Sequence, residues 1–460
     1  MKGKSPIRNT PELFRPMLNS FIDEKHELVL LAERIEWQYF EEEFGRLYST
    51  KGRPGKPIRL MVGCLLLKQM YNLGDETIAK EWVMNPYMQY FCGEVYFQHK
   101  FPFDPSDFVH FRHRIGEEGV EKIFVHSVKL HGKDAEEKLA VSDTTVQGNN
   151  TEFPTDARLY LQIIGKCNEI AKKEGVKQRQ RYTEVSKELM RQTHNGNHPK
   201  RRKTARAATR KLGTIAARLV RELERNLDRE LLEKYAETLE LLNRALLRDR
   251  NQKDKVYSIH KPHTACIAKG KADHMYEFGN KVGLISTAGS QVILAVMAFP
   301  GNPNDSKTIK PLTAQMVRNG LKLPERIAYD RGGRGPKEAD GVEIITPGKP
   351  KRTDTPYERA KKRQPFRRRA AIEPLIGHLK SDNRMERNYL WEEVSSTMNA
   401  MLSAAAWNLK KLMKKLVEEF LRPVFYLLFW IIQHSLYRLS PAHAIANHPQ
   451  WPNVCSNVNY

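Results

Sequence analysis

The chain is 460 residues long, enough at about 150 residues per domain for about three domains and a sizeable core. Lysine plus arginine number 77 against 54 aspartates and glutamates, a formal net charge of +23, and that balance marks the partner of a polyanion, nucleic acid first among them. Five widely spaced cysteines (Cys64, Cys92, Cys167, Cys266, Cys455) form no CxxC pair, so neither a zinc ribbon nor a disulfide scaffold is implied, and a reducing cytoplasm fits.

The opening "MKGKSPIRNTPELF" lacks the apolar core of a signal peptide. From about residue 20 to 130 the pattern is helical. Within it, "GRPGKPIRLMVGCLLLKQMYNLGDETIAKEW" reads as a helix, a break at "NLGD" and a second helix, with Pro57 in a first turn and Asp75 as an N-cap. Two short helices across a tight turn are compatible with a DNA-reading helix-turn-helix and equally with plain helical packing.

"KLAVSDTTVQGNN", residues 138–150, alternates apolar and polar positions and breaks at a Gly-Asn-Asn turn, which predicts a strand with Asp143 near its end. Residues 156–250 are rich in helix formers and predict a helical hairpin, with Leu159, Ile163, Cys167 and Ile170 on one face. The connecting loop is expected at "HPKRRKTARAATRK", where Lys200, Arg201, Arg202 and Lys203 lead a run of seven basic residues at 200–211 without an acid. Such a run either clamps phosphates or is a solvated loop.

β character returns at "GNKVGLISTAGSQVILAVMAFP", residues 279–300, as two strands joined at "TAGSQ". A helix is expected from about 305 to 319, then a short strand "RIAYD" ending at Asp330, a glycine-rich turn "RGGRG" and a strand at "VEIIT". Residues 349–369 are proline-interrupted and basic, and a helix bearing Glu373 follows. Alternating strand and helix segments around one sheet give an α/β or α+β core. The late apolar run at 424–432 has nine residues where a membrane span needs about 20. It reads as a buried terminal helix or a self-association surface.

On a continuous helix, Ile372, Leu375, Ile376 and Leu379 form an apolar stripe, and Arg369, Glu373 and Lys380 fall within about 40° of each other beside it. Taken alone, Arg369 and Glu373 make an ordinary i,i+4 ion pair worth a few tenths of a kcal/mol. The order of parts offers another reading. An aspartate on a first strand, a strand hairpin, a helix, an aspartate ending a further strand and a glutamate on a late helix is the order of an RNase H-like nuclease core. Three such carboxylates hold two Mg²⁺ ions about 3.5–4 Å apart for in-line displacement at phosphorus. His378 faces away from Glu373 and is not a candidate base, and Asp156, the rival first acid, lacks a strand context.

The segment around Glu373 resembles the Y-x2-R-x3-E-x6-K signature of bacterial insertion-sequence DDE transposases of the four/five superfamily, five-type. Here it reads Phe366, Arg369, Glu373 and Lys380 with every spacing kept. "SDTTV" resembles that family's first-aspartate strand and "AYDRGGRG" its second. Phe366 replaces the signature tyrosine and so lacks its hydroxyl, and the helical insertion falls between the first aspartate and the strand hairpin.

The resemblance implies a DDE triad of Asp143, Asp330 and Glu373 holding Mg²⁺ or Mn²⁺. Arg369, Lys380, Arg331 and Arg334 would contact DNA phosphates, the last two being otherwise a solvated turn. The expected organisation is a helical N-terminal domain at 1–130, an RNase H-like catalytic core at 131–155 and 251–410, a helical insertion at 156–250 and a C-terminal helical tail at 411–460. The expected activity is cleavage of DNA at terminal inverted repeats and strand transfer to target DNA by a homodimer or higher oligomer in the bacterial cytoplasm, associated with the nucleoid. The alternatives are a domesticated or inactive DNA-binding protein and a nuclease of the same fold without strand transfer.

Overall fold

The computed structural model describes residues 1–3, 15–247, 255–268, 275–330, 332, 335–348, 351, 353–391 and 394–439, with the backbone alone at 422–429 and 431–439. The N-terminal region is helical: α1 (Glu27–Arg34), α2 (Trp37–Gly45), α3 (Ile58–Met70), α4 (Asp75–Met84), α5 (Pro86–Phe91) and α6 (Asp107–Lys129). The α3 sequence is apolar on all sides, and every residue but Arg59 is buried, the pattern of a helix inside a core. Asn85 caps α5 by accepting from the Tyr87 and Met88 amides, with Pro86 at the first helical position.

Asp75 is not an N-cap. Gly74 takes that place, and the Asp75 carboxylate instead pairs with Lys68 Nζ at 2.5 Å and Arg112 Nη2 at 3.0 Å. Burial lowers the Lys68 ammonium to about 8. The α3–α4 pair is therefore tied into the core, and the exposed residues of α4 (Glu76, Thr77, Lys80, Met84) include one cation.

β1 (Leu139–Asn149) is followed by four helices, α7 (Asp156–Lys173), α8 (Thr183–Gln192), α9 (Arg202–Asn226) and α10 (Arg229–Leu246), where a two-helix hairpin was expected. They enclose a core of their own, built on Leu159, Ile163, Cys167, Leu212, Leu219, Leu223 and Leu242. Arg202, Lys203 and the rest of the expected basic loop form the first turns of α9, because Ala205, Ala208 and Leu212 at 3–4 spacing seat that stretch on the insertion core. Only Lys200 and Arg201 precede the helix.

The sheet is then completed. β2 (Ala265–Ala268) and β4 (Ile293–Phe299) pair with successive parts of one edge of β3 (Tyr276–Thr287), and the other edge of β3 runs antiparallel along β1, with Asp143 opposite Leu284. On its far side β1 pairs in parallel with β5 (Arg326–Ala328). β5 pairs in parallel with β7 (Val342–Ile345), and β6 (Glu338–Ala339) forms an antiparallel edge. The principal order is β4-β3-β1-β5-β7. Helix α11 (Ile309–Arg318) lies against β3 and β4, and α12 (Pro356–Arg369) and α13 (Ile372–Asp382) lie against β1. β8 (Arg387–Asn388) pairs with the end of β1.

The last helix, α14 (Ser395–Leu439), crosses residue 411 unbroken, so the expected tail does not start at an element boundary. The apolar run at 424–432 lies in its second half, where Trp430 is exposed. Among the described residues no helix is long and apolar enough to cross a membrane. The first half of α14 is buried between α1, α3, α6 and β4, so the N-terminal helices and the sheet share one continuous core. A buried polar tie fixes its register. Asn408 Oδ1 accepts from the Ile293 amide at 2.9 Å, and its Nδ2 donates to the Ile293 carbonyl at 3.0 Å.

Replacing Asn408 with alanine leaves both backbone groups of Ile293 buried without partners, a loss of about 2–4 kcal/mol. The denaturant midpoint should fall with an unchanged m-value. A loss under about 0.5 kcal/mol would mean the tie contributes little.

Candidate active site

Two neighbouring parallel strands bring the candidate aspartates together. Asp143 lies in the middle of β1 and not near its end, and Asp330 stands two residues beyond β5. The Tyr329 amide still bonds the Ile345 carbonyl of β7, which holds the chain in line up to Asp330. Arg369, the last residue of α12, reaches both: its Nη2 is 3.1 Å from Asp143 Oδ2 and 3.7 Å from Asp330 Oδ2. The Arg369 and Asp143 side chains are only 19% and 17% exposed, whereas Asp330 is 40% exposed. Asp143 Oδ1 accepts from the Thr144 amide at 2.8 Å.

A third carboxylate, which the sequence reading passed over, belongs to the same cluster. Asp305 opens a 3₁₀ turn after β4, and its Oδ1 accepts from Thr144 Oγ1 and from Lys281 Nζ, each at 2.9 Å. A Cβ placed on Gly332 would meet Asp305 Oδ2 at 2.8 Å and Asp330 Oδ1 at 3.0 Å. That residue must therefore be glycine for the two carboxylates to face the same small space, and its amide donates to Asp330 Oδ1 at 2.8 Å. The available signal was an acid placed directly after the strand hairpin, in "GNPNDSK".

Burial raises the Asp143 carboxyl above its usual range, and the charges of Asp330 and Asp305 push the same way. The Thr144 amide and Arg369 oppose the shift without cancelling it. The Tyr329 hydroxyl, wholly buried beneath the three acids, is raised by burial and by their charges.

The remaining expected residues fall elsewhere. α12 and α13 are separate helices with Ala370 and Ala371 between them, so the continuous helix assumed for Arg369 and Glu373 is not present. The ordinary pair between them is absent, since Arg369 turns to the two aspartates. Glu373, in the first turn of α13, is exposed and makes no hydrogen bond or ion pair among the described residues. Lys380 lines a groove of about 570 Å³ beside the end of β1, with Gly148, Asn149 and Glu386. Phe366 packs half-buried against the core. Arg331 and Arg334 lie outside the described residues. Lys200, Arg201, Arg202 and Lys203 are exposed at the start of α9.

His378 pairs with Asp382 and stacks on Trp407, away from the acids. Among the described residues, no three histidine, cysteine or acidic side chains stand close enough together to hold a metal ion. The chemistry of the donors nevertheless fits a hard divalent cation, since all three are carboxylates. The position between Asp143 and Asp330 is taken by the guanidinium of Arg369.

Two stretches of the chain match known families. Residues 16–114 match the family described as Transposase domain (DUF772), and residues 249–409 match the one described as Transposase DDE domain. The second stretch contains Asp305, Asp330, Arg369 and Glu373, whereas β1 with Asp143 and the helical insertion fall between the two. The chain is similar to an uncharacterized protein, ORF8 in the nfe locus of Rhizobium meliloti. The two are 40% identical over 193 residues, 41% of this chain and 93% of that protein. No solved structure matches.

The raised Asp143 carboxyl has a pH signature. A group held above its usual value of 3.8 contributes native stability in full below that pH and loses it as pH rises through the native value. Asp143→Asn removes this arm. Melting temperatures in chelator from about pH 3.5 to 7 should therefore decline with pH more in the parent than in the variant. Parallel profiles would remove Asp143 from the buried acidic cluster.

Proposed function

Because the chain belongs to the DDE transposases of insertion sequences, we propose that it cuts DNA at the terminal inverted repeats of its element. The freed 3′-hydroxyl is then joined to target DNA. The observation that carries this reading is the meeting of Asp143, Asp330 and Arg369 at adjacent parallel strands. The strand order β4-β3-β1-β5-β7, with β3 antiparallel to β1 and β5 and β7 parallel to it, supports an RNase H-like core. The resemblance around Glu373 favours the five-type.

Asp143 and Asp330 would hold Mg²⁺ or Mn²⁺, with Glu373 entering from the first turn of α13 as the third ligand. A bound divalent ion supplies charge neutralisation at the scissile phosphate and a more acidic attacking water or hydroxyl. The residues of the chain do the rest. Gly332 leaves room for the acids, and Lys281 with Thr144 fixes Asp305 beside them. Arg369 bridges the Asp143 and Asp330 carboxylates and would be free to contact a phosphate with a divalent ion held between them.

Helix α12 leads into this centre with no buried residue and with exposed Arg363, Arg367 and Arg368, which suits a strand approaching through its phosphates. These three were not singled out in the sequence. Further phosphate contacts come from Lys380, Arg331, Arg334 and the cluster Lys200, Arg201, Arg202 and Lys203. The active form is a homodimer or higher oligomer acting in the bacterial cytoplasm.

Asp330→Asn should lower Mg²⁺-dependent cleavage of element-end DNA more than about a hundredfold while DNA affinity stays near the parent's. Glu373→Gln should do the same with a parent-like melting temperature, since the exposed side chain has no partner among the described residues to lose. Mg²⁺ should raise the melting temperature of the parent and leave that of Asp330→Asn unmoved. Cleavage by Asp330→Asn within about tenfold of the parent would sink the assignment, and cleavage without joining would make the enzyme a nuclease.

A further inference from the structure

The insertion helix α9 carries a charge arrangement that its own stability does not explain. Arg202, Lys203, Arg206, Arg210, Lys211, Arg218, Arg221 and Arg225 are all exposed on it. Its two acids, Glu222 and Glu224, come near its end, where each accepts a hydrogen bond: Glu222 from the Arg179 amide and Glu224 from Asn243. Among the described residues none of the eight cations forms an ion pair with an acid. Lys203, Arg206, Arg210 and Arg221 fall within about 60° of one another around the axis. The opposite face, Ala205, Ala208, Leu212, Ile215, Leu219 and Leu223, is buried.

The start of the helix is against the usual rules. A helix N-terminus presents unpaired amides and a partial positive charge, which acids and oxygen-bearing caps offset and cations worsen. Here the N-cap is Arg201 without a capping bond, no acid lies in the first turn, and Lys200, Arg202 and Lys203 flank it. A phosphate docked there would satisfy amides and cations together.

We propose that α9 is a ridge that grips the phosphate backbone of duplex DNA away from the catalytic centre, without reading sequence. The inference rests on DNA being the substrate and extends the expected contacts at 200–203 along the whole helix. The four cations of that face, Lys203 to Arg221, span about 27 Å at 1.5 Å per residue, most of one turn of B-form DNA at about 34 Å. A helical row of that length suits a duplex. Single strands are gripped through stacked bases as well, and α9 has no aromatic residue. A membrane surface would require apolar side chains beside the cations, and the apolar face of α9 is already spent on the insertion core.

The insertion has its own core, so the ridge and the acidic centre are separable by substitution. In the full chain, Arg206, Arg210 and Arg221 are replaced together by glutamine, which keeps helix propensity. Affinity for an arbitrary 30-base-pair duplex is then measured against salt. The slope of log affinity on log salt should shrink by up to about 2.7, at about 0.9 per lost phosphate contact, equally for unrelated sequences. Cleavage of element-end DNA at saturating concentration should stay within about twofold of the parent, and the melting temperature should not fall.

An unchanged slope in the folded variant overturns the ridge. So does a loss confined to a single-stranded 30-mer or to phosphatidylserine vesicles, either of which would give α9 a different partner. Asp330→Asn, run alongside, keeps the parental slope. A parent that binds DNA through α9 but never cleaves would refute the transposase activity and leave the ridge standing.

Discussion

Everything at the acidic end of the sheet answers to one electrostatic constraint: three aspartates share a half-dry space. Burial pushes the Asp143 carboxyl up, and the charges of Asp330 and Asp305 add to it. The fold offsets this with cations from two directions. Lys281 arrives from β3 and fixes Asp305, and Arg369 arrives from α12 and reaches Asp143 and Asp330. Removing one partner of such a buried pair strands the other, and the cost typically reaches about 3–5 kcal/mol for a fully buried pair. The roughly one-fifth exposure of Asp143 and Arg369 lowers that figure here. Helix α12 has no fully buried residue, and only Pro365, Phe366 and Arg369 are even half-buried. Its docking depends on its C-terminal end, where the guanidinium meets the acids.

What the sequence disclosed about this site follows from which signals are local. The strand carrying Asp143 and the one leading to Asp330 alternate or run apolar over a few residues, and both formed where expected. Arg369 was placed correctly in the chain and wrongly in space. The helical wheel assumed one helix through 369–380, and the turn at Ala370 and Ala371 rotates that geometry away from Glu373. Asp305 was invisible for a different reason. Its membership comes from Thr144, Lys281 and Gly332, residues 24 to 161 positions away that only the folded sheet brings near. The basic run at 200–211 read as a loop because its buried positions are small. Ala205 and Ala208 give a weak apolar signal against seven cations, and tertiary packing overrode composition.

The two cores divide the labour of stability. One spans the N-terminal helices, the sheet and the first half of α14, and the acidic cluster sits at its margin. The other belongs to α7–α10 alone. The sequence places the insertion between β1 and β2, yet the β1–β3 ladder across that gap is intact over nine residue pairs. A long excursion is compatible with this because loop-closure entropy grows only slowly with length, each doubling adding about 0.6 kcal/mol. The excursion also folds on itself, so little of its chain remains loose.

The positive charge is concentrated in a way that a solubility argument does not predict. A solvated basic surface would intersperse its cations with acids, as i,i+3 pairs do on α8, where Lys187 meets Glu184 and Arg191 meets Glu188. On α9 and at the end of α12 the cations stand together instead, repelling one another and, at the start of α9, opposing the helix dipole. The acidic cluster is the mirror image, like charges held together where one carboxyl is already reluctant to ionise. Both arrangements lower the stability of the free protein, and both are relieved by a ligand of opposite charge: phosphates for the helices, a cation for the aspartates. A nucleic acid approached through its backbone and carrying divalent counterions presents both at once. The like-charged helices and the aspartate cluster are complementary to the one kind of substrate proposed.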